Sequence, residues 1–101
     1  MSKKVVWTTG ARASLDHYCD IIAEDSASNA KKVRKEIILT SKMLSKKPYL
    51  YQLDEYYLDN PGNIRRFFKW SYKVVYQVME EKVVVLEVYH TSTSPEQKIE
   101  D

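Results

Sequence analysis

Side chains able to do chemistry concentrate in the last third of this 101-residue sequence. Arg65 and Arg66 come first, Lys73, Gln77, Glu87 and Tyr89 follow, and His90 leads into the hydroxyl run Thr91-Ser92-Thr93-Ser94. Cations, a carboxylate and aromatic rings on one exposed sheet would make a binding platform. An imidazole, whose ordinary pKa is near neutral, can act as a general base, so His90 is a candidate for proton transfer. Other chemistries find little support. His17, His90 and the lone Cys19 have no metal-ligand spacing. With only 2 glycines a phosphate-cradling loop is nearly excluded. No Ser-His-Asp triad is recognisable, and no cofactor is expected.

The elements that must position these residues follow from periodicity. Val5-Val6-Trp7-Thr8 reads as a first strand, after which Thr8 or Thr9 can cap a helix. Leu15, Tyr18, Cys19 and Ile22 form one apolar helical stripe. The break Asp25-Ser26-Ala27-Ser28-Asn29 precedes a second helix whose stripe is Ala30, Val33, Ile37 and Leu44, widened by Ile38 and Met43. Lys46, Lys47 and Pro48 end it. So short a break predicts an antiparallel helical hairpin. Residues 49–63 read as a loop with a short extended piece, closed by the turn Asn60-Pro61-Gly62-Asn63. Three strand-like runs follow, at 64–70, 72–79 and 83–90. The expectation is an α+β fold of order β-α-α-β-β-β in one domain spanning 1–101, with an acidic tail from about residue 96.

Side chains alternate along a strand, so parity assigns the faces. Tyr72, Val74, Tyr76 and Val78 share one side of their strand; Val84, Leu86, Val88 and His90 share one side of the last. Placing these oily sets under the helices pairs Met79 with Val83 and leaves Glu80-Glu81-Lys82 as the loop, since Glu-Glu suits a two-residue hairpin poorly. Lys73, Gln77, Glu87 and Tyr89 then face water. A turn at Trp70-Ser71 adds Arg66 and Phe68, whereas a slip there would substitute Arg65. The plainer alternative is a solvated face on which Lys73 and Glu87 pair across strands. His90 falls on the covered side in this register, which favours a packed or capping role over a catalytic one.

Composition sets the outer bounds. At this length one core forms, burying roughly two-thirds of the unfolded surface, and function belongs on an open face or groove. A net charge of +2 permits an acidic partner without demanding one. Lysines crowd residues 31–47. A single cysteine fits a reducing compartment, and no apolar run approaches the roughly 20 residues of a membrane span, so a cytoplasmic location is expected.

The initial strand ending in Trp7, Ala11, Leu15, Ala30, Arg65-Arg66-Phe67, Tyr72-Lys73-Val74-Val75-Tyr76 and Val88-Tyr89-His90-Thr91 with Pro95 together resemble the ParE/RelE family. The likeness covers about residues 4 to 97; its more specific parts are the Tyr-Lys-Val-Val-Tyr strand and the ending after His90. These are toxins of bacterial type II toxin–antitoxin modules. The resemblance implies a strand, a helical hairpin and a curved antiparallel sheet. RelE-like members cleave messenger RNA in the ribosome, which would cast Lys73 and Arg66, with His90, as catalytic candidates. Ser92 stands where that branch would place arginine, and no tyrosine follows Tyr89. A serine cannot neutralise developing phosphate charge. The ParE-like branch, which implies trapping of DNA gyrase by binding without chemistry, is the closer match. A degenerate, non-toxic member that only binds antitoxin is the remaining alternative.

Every branch implies a cognate antitoxin and a hetero-oligomer with it. Antitoxin tails are commonly acidic, so a tyrosine-lined groove rimmed by cations is the expected receptor, built from Tyr49, Tyr51, Tyr56 and Tyr57 with the lysines of the second helix. Gyrase, or alternatively the ribosome with its message, is the implied target. No membrane contact is expected.

Overall fold

The computed structural model describes residues 2–93; the acidic tail and Pro95 lie outside them. Strand β1 (Lys4–Trp7) leads into helix α1 (Thr9–Asp25) and helix α2 (Ala27–Met43). Strands β2 (Gln52–Leu53), β3 (Ile64–Lys69), β4 (Tyr72–Val78) and β5 (Lys82–His90) follow, then a 3-10 turn at Thr91–Thr93. The sheet runs β1-β5-β4-β3-β2, antiparallel except that β1 joins β5 in parallel. The expected α+β order of strand, helical hairpin and strands therefore holds, with β2 added at the far edge.

Capping explains the sharp helix ends. Thr8 begins α1, its hydroxyl accepting from Ala11 N–H at 3.0 Å. Ser26 serves both helices: its N–H closes α1 on the Ile22 carbonyl, and its hydroxyl accepts from Asn29 N–H at 3.1 Å to open α2. A one-residue connection forces the helices antiparallel, and Arg34 of α2 clasps Asp16 of α1 at 2.8 Å. Ala11, Leu15 and Cys19 of α1, with Ile37 and the capping Leu44 of α2, meet Phe67, Val74, Tyr76, Val83, Val85 and Val88 in the core. Each Val, Leu, Ile or Phe side chain among these, removed from water, contributes about 1.5–3 kcal/mol, and the smaller Ala11 less. Met43, expected on the buried stripe, is instead 57% exposed.

The last hairpin departs from simple alternation. Val78 pairs with Val83, and Met79 N–H bonds the Lys82 carbonyl at 2.8 Å, so Glu80-Glu81 is a two-residue turn after all. Neither glutamate takes a positive φ, which is how this pair is tolerated. A β-bulge then removes Leu86 from the ladder: Tyr76 faces Val85 while Val75 faces Glu87. Val83 and Val85 consequently join the core, where Val84 and Leu86 were expected. Thr8 anchors this irregularity, donating its N–H to the Val85 carbonyl at 3.0 Å and its hydroxyl to the Leu86 carbonyl at 3.1 Å. Beyond the bulge parity returns to expectation, with Val88 and His90 on the helix side.

Trp70 and Ser71 turn the β3–β4 hairpin as expected, Lys69 pairing with Tyr72. Trp70 holds φ at +50°, a region that disfavours bulky side chains, and is 57% exposed.

Candidate functional site

The face away from the helices carries Arg66 and Phe68 from β3, Lys73, Val75 and Gln77 from β4, and Glu87 and Tyr89 from β5. Lys73 is thus on the expected side, yet only 1% exposed. Residues 49–63 account for this. The segment leaves the helix side, crosses the sheet edge as β2, and folds onto the opposite face. Asn60 clamps it: its amide donates to the carbonyls of Asp54 and Ile64, and its side-chain oxygen accepts from Gly62 and Ile64 N–H. Gly62, at φ +107°, supplies the bend that a side chain would strain.

The clamp delivers Asp54, itself 5% exposed, to Lys73, with Nζ to Oδ1 at 3.0 Å. Tyr56 covers the pair, its ring centroid 5.2 Å from the ammonium. The expected water-facing lysine is therefore corrected to a buried ion pair beneath an aromatic cap. A lysine buried in its charged form is costly without a counter-ion. That requirement alone could have raised the search for Asp54; nothing in the run Leu53-Asp54-Glu55 marks the residue as special. Around the pair a crevice of about 330 Å³ is bounded by Tyr56, Tyr57 and Tyr89, with Val75 and Leu86 beneath and Glu87 at its side.

Other expected groups are dispersed. Arg66 lies on this face but is shared between Gln52 and Glu55, each at 3.2 Å. Gln77, between Ile64 and Val84, is on the same face outside the crevice. Arg65 is on the helix side, its guanidinium 4.7 Å from the Tyr49 ring and donating to the Tyr51 carbonyl at 2.7 Å. His90 also faces the helices, its ring 5.3 Å from that of Tyr72, and Nδ1 accepts from Ser92 N–H at 3.2 Å. Lys73 and His90 consequently occupy opposite faces and cannot act on one substrate atom. The four tyrosines do not form one groove. Tyr49 and Tyr51 belong to the helix side, where Tyr51 packs on Phe67 at 5.3 Å, while Tyr56 and Tyr57 belong to the crevice.

Burial raises the pKa of Cys19 and Tyr72, and pushes Tyr76 up to about 12. Arg34 is raised chiefly by its bond to Asp16. Burial with a raised pKa keeps Cys19 a packed thiol, not a nucleophile. Among the described residues no group of three or more His, Cys, Asp or Glu could hold a metal, and no helix is long and apolar enough to cross a membrane.

A second surface lies at the C-terminal end of α2. Leu39 and Met43 stand exposed among Lys42, Lys46 and Lys47 around a depression of about 430 Å³. Tyr49 and Leu50, 55% and 56% exposed, come next in the chain.

Among curated proteins no sequence matches. A chain of the chromosomal ParDE TA system from P. aeruginosa has a similar structure, with a TM-score of 0.70 at 18% identity over 88% of this chain and 96% of that one. At that identity the likeness is one of fold. A family model described as the ParE toxin of the type II toxin–antitoxin system parDE matches residues 5–95. With that match spanning nearly the whole sequence, the chain belongs to the ParE toxin family.

Proposed function

We propose that this type II toxin acts in the cytoplasm by binding DNA gyrase while the enzyme holds cleaved DNA, and that a cognate antitoxin neutralises it. The observation that carries the reading is the Lys73–Asp54 pair. A nuclease on this sheet would need Lys73 to meet developing phosphate charge, and here the ammonium is neutralised and capped by Tyr56. Arg66 is engaged by Gln52 and Glu55, and Ser92 replaces the arginine that cleavage would want. Together these favour a surface that binds over one that catalyses. For the antitoxin, the lysine-rimmed patch at Leu39 and Met43 supplies an apolar seat with cations for an acidic segment.

Purified protein, gyrase, ATP and supercoiled plasmid test the target. Linear DNA released on denaturing gyrase is the expected product. Intact plasmid, together with ribosome-dependent cuts in messenger RNA, would overturn the reading in favour of the ribonuclease. Intact plasmid and intact message would leave an antitoxin-binding relic.

A further inference from the structure

We propose that the crevice beside the Lys73–Asp54 pair is a receptor for one arginine side chain presented by a polypeptide partner. The proposal concerns the face that the toxin reading leaves without chemistry, and it holds whichever macromolecule is poisoned.

The charge balance sets the sign of the ligand. Asp54 and Lys73 cancel at 3.0 Å. Glu87, opposite Val75 and diagonal to Lys73 on the same face, is the carboxylate the ladder brings nearest that lysine, but Asp54 has taken the pairing. Among the described residues Glu87 makes no hydrogen bond or ion pair and is exposed at the crevice side. Among the described residues the crevice is therefore left with one uncompensated negative charge.

The walls set the ligand's shape. Tyr56, Tyr57 and Tyr89 present ring surface, and ring faces attract cations. Tyr56 already holds an alkylammonium 5.2 Å from its centroid, so this wall accepts the chemistry. Val75 and Leu86 offer an apolar floor to a methylene stem. A planar guanidinium can stack on tyrosine while giving two parallel hydrogen bonds to Glu87, which a lysine cannot do. The space of about 330 Å³ suits one long side chain. A phosphate or carboxylate would instead meet Glu87 with no further cation beside Lys73 among the described lining residues to offset it, which disfavours nucleic acid at this position.

The test uses the whole protein and small probes. ¹⁵N-labelled protein is titrated with N-acetyl-L-arginine amide and, in parallel, with N-acetyl-L-citrulline amide, which has nearly the same shape and no charge. Saturable shifts at Tyr56, Tyr57, Val75, Glu87 and Tyr89 are expected with arginine. Affinity should fall roughly tenfold or more with citrulline and with Glu87→Gln, as loss of a charged, stacked, two-bond contact implies. Glu87 is exposed, so the variant's spectrum reports directly that it folds. No saturable shift, an equal response to citrulline, or unchanged binding by Glu87→Gln would each overturn the proposal. Neither gyrase nor DNA enters the measurement, so its failure is separate from failure of the gyrase reading.

Discussion

Lys73 Nζ lies 3.0 Å from Asp54 Oδ1, and both side chains are almost wholly withdrawn from water, 19 positions apart in sequence. Removing one partner strands a charge in a poorly hydrated place. Lys73→Met or Asp54→Ala should each cost about 3–5 kcal/mol, read from urea unfolding midpoints. Lys73→Met combined with Asp54→Leu should recover most of that loss, because two apolar groups of similar size need no counter-charge. Additive losses would mean that the pair is not energetically coupled.

Trp70 stores backbone strain at the tip of the β3–β4 hairpin. Comparing Trp70→Gly with Trp70→Ala isolates the effect, since both variants lose the ring and its contact with Lys32. Glycine should be the more stable of the two by about 1 kcal/mol, against its usual penalty in ordered structure. An alanine variant as stable as the glycine variant would exclude strain at this position.

Tyr76 sets an alkaline limit on the fold. Its phenol donates to the Pro48 carbonyl at 3.0 Å, and burial pushes its pKa from the ordinary 10 up to about 12. Unfolding restores the ordinary value, so the unfolded chain loses this proton first as pH rises. The associated stability is complete below pH 10 and declines between about 10 and 12. The raised pKa values of Tyr72 and Cys19 act in the same direction. Tyr76→Phe should flatten that alkaline decline while costing on the order of 1 kcal/mol at neutral pH through the unmade bond. Thermal melts between pH 8 and 11.5 measure both effects; an unchanged alkaline slope would remove Tyr76 from the account.

Much of this architecture was legible because it is local. Caps at Thr8 and Ser26, the helical stripes and the turn at Trp70-Ser71 follow from residues within a few positions of one another. The bulge at Leu86 was not legible, because it depends on Thr8, 78 positions away, drawing both the Val85 and Leu86 carbonyls. Alternation placed Lys73 on the correct face but said nothing of what lies above it. That needed the path of residues 49–63 over the sheet edge, fixed by four hydrogen bonds to one side chain, Asn60. The same crossing divides the tyrosines between two faces, which spacing along the chain cannot reveal.

The α2 end gives the last prediction, on the antitoxin. Lys42, Lys46 and Lys47 surround exposed Leu39 and Met43, so an acidic segment would be attracted from a distance before it packs. Rim charges act mainly on association rate, and salt screens them. The triple reversal Lys42→Glu, Lys46→Glu, Lys47→Glu should slow association with the cognate antitoxin on the order of tenfold or more at low salt. The difference should shrink as ionic strength rises, with the dissociation rate changing less. Surface-plasmon measurements across a salt series separate the two rates. A salt-independent association rate, equal for wild type and variant, would show that the antitoxin docks on another surface.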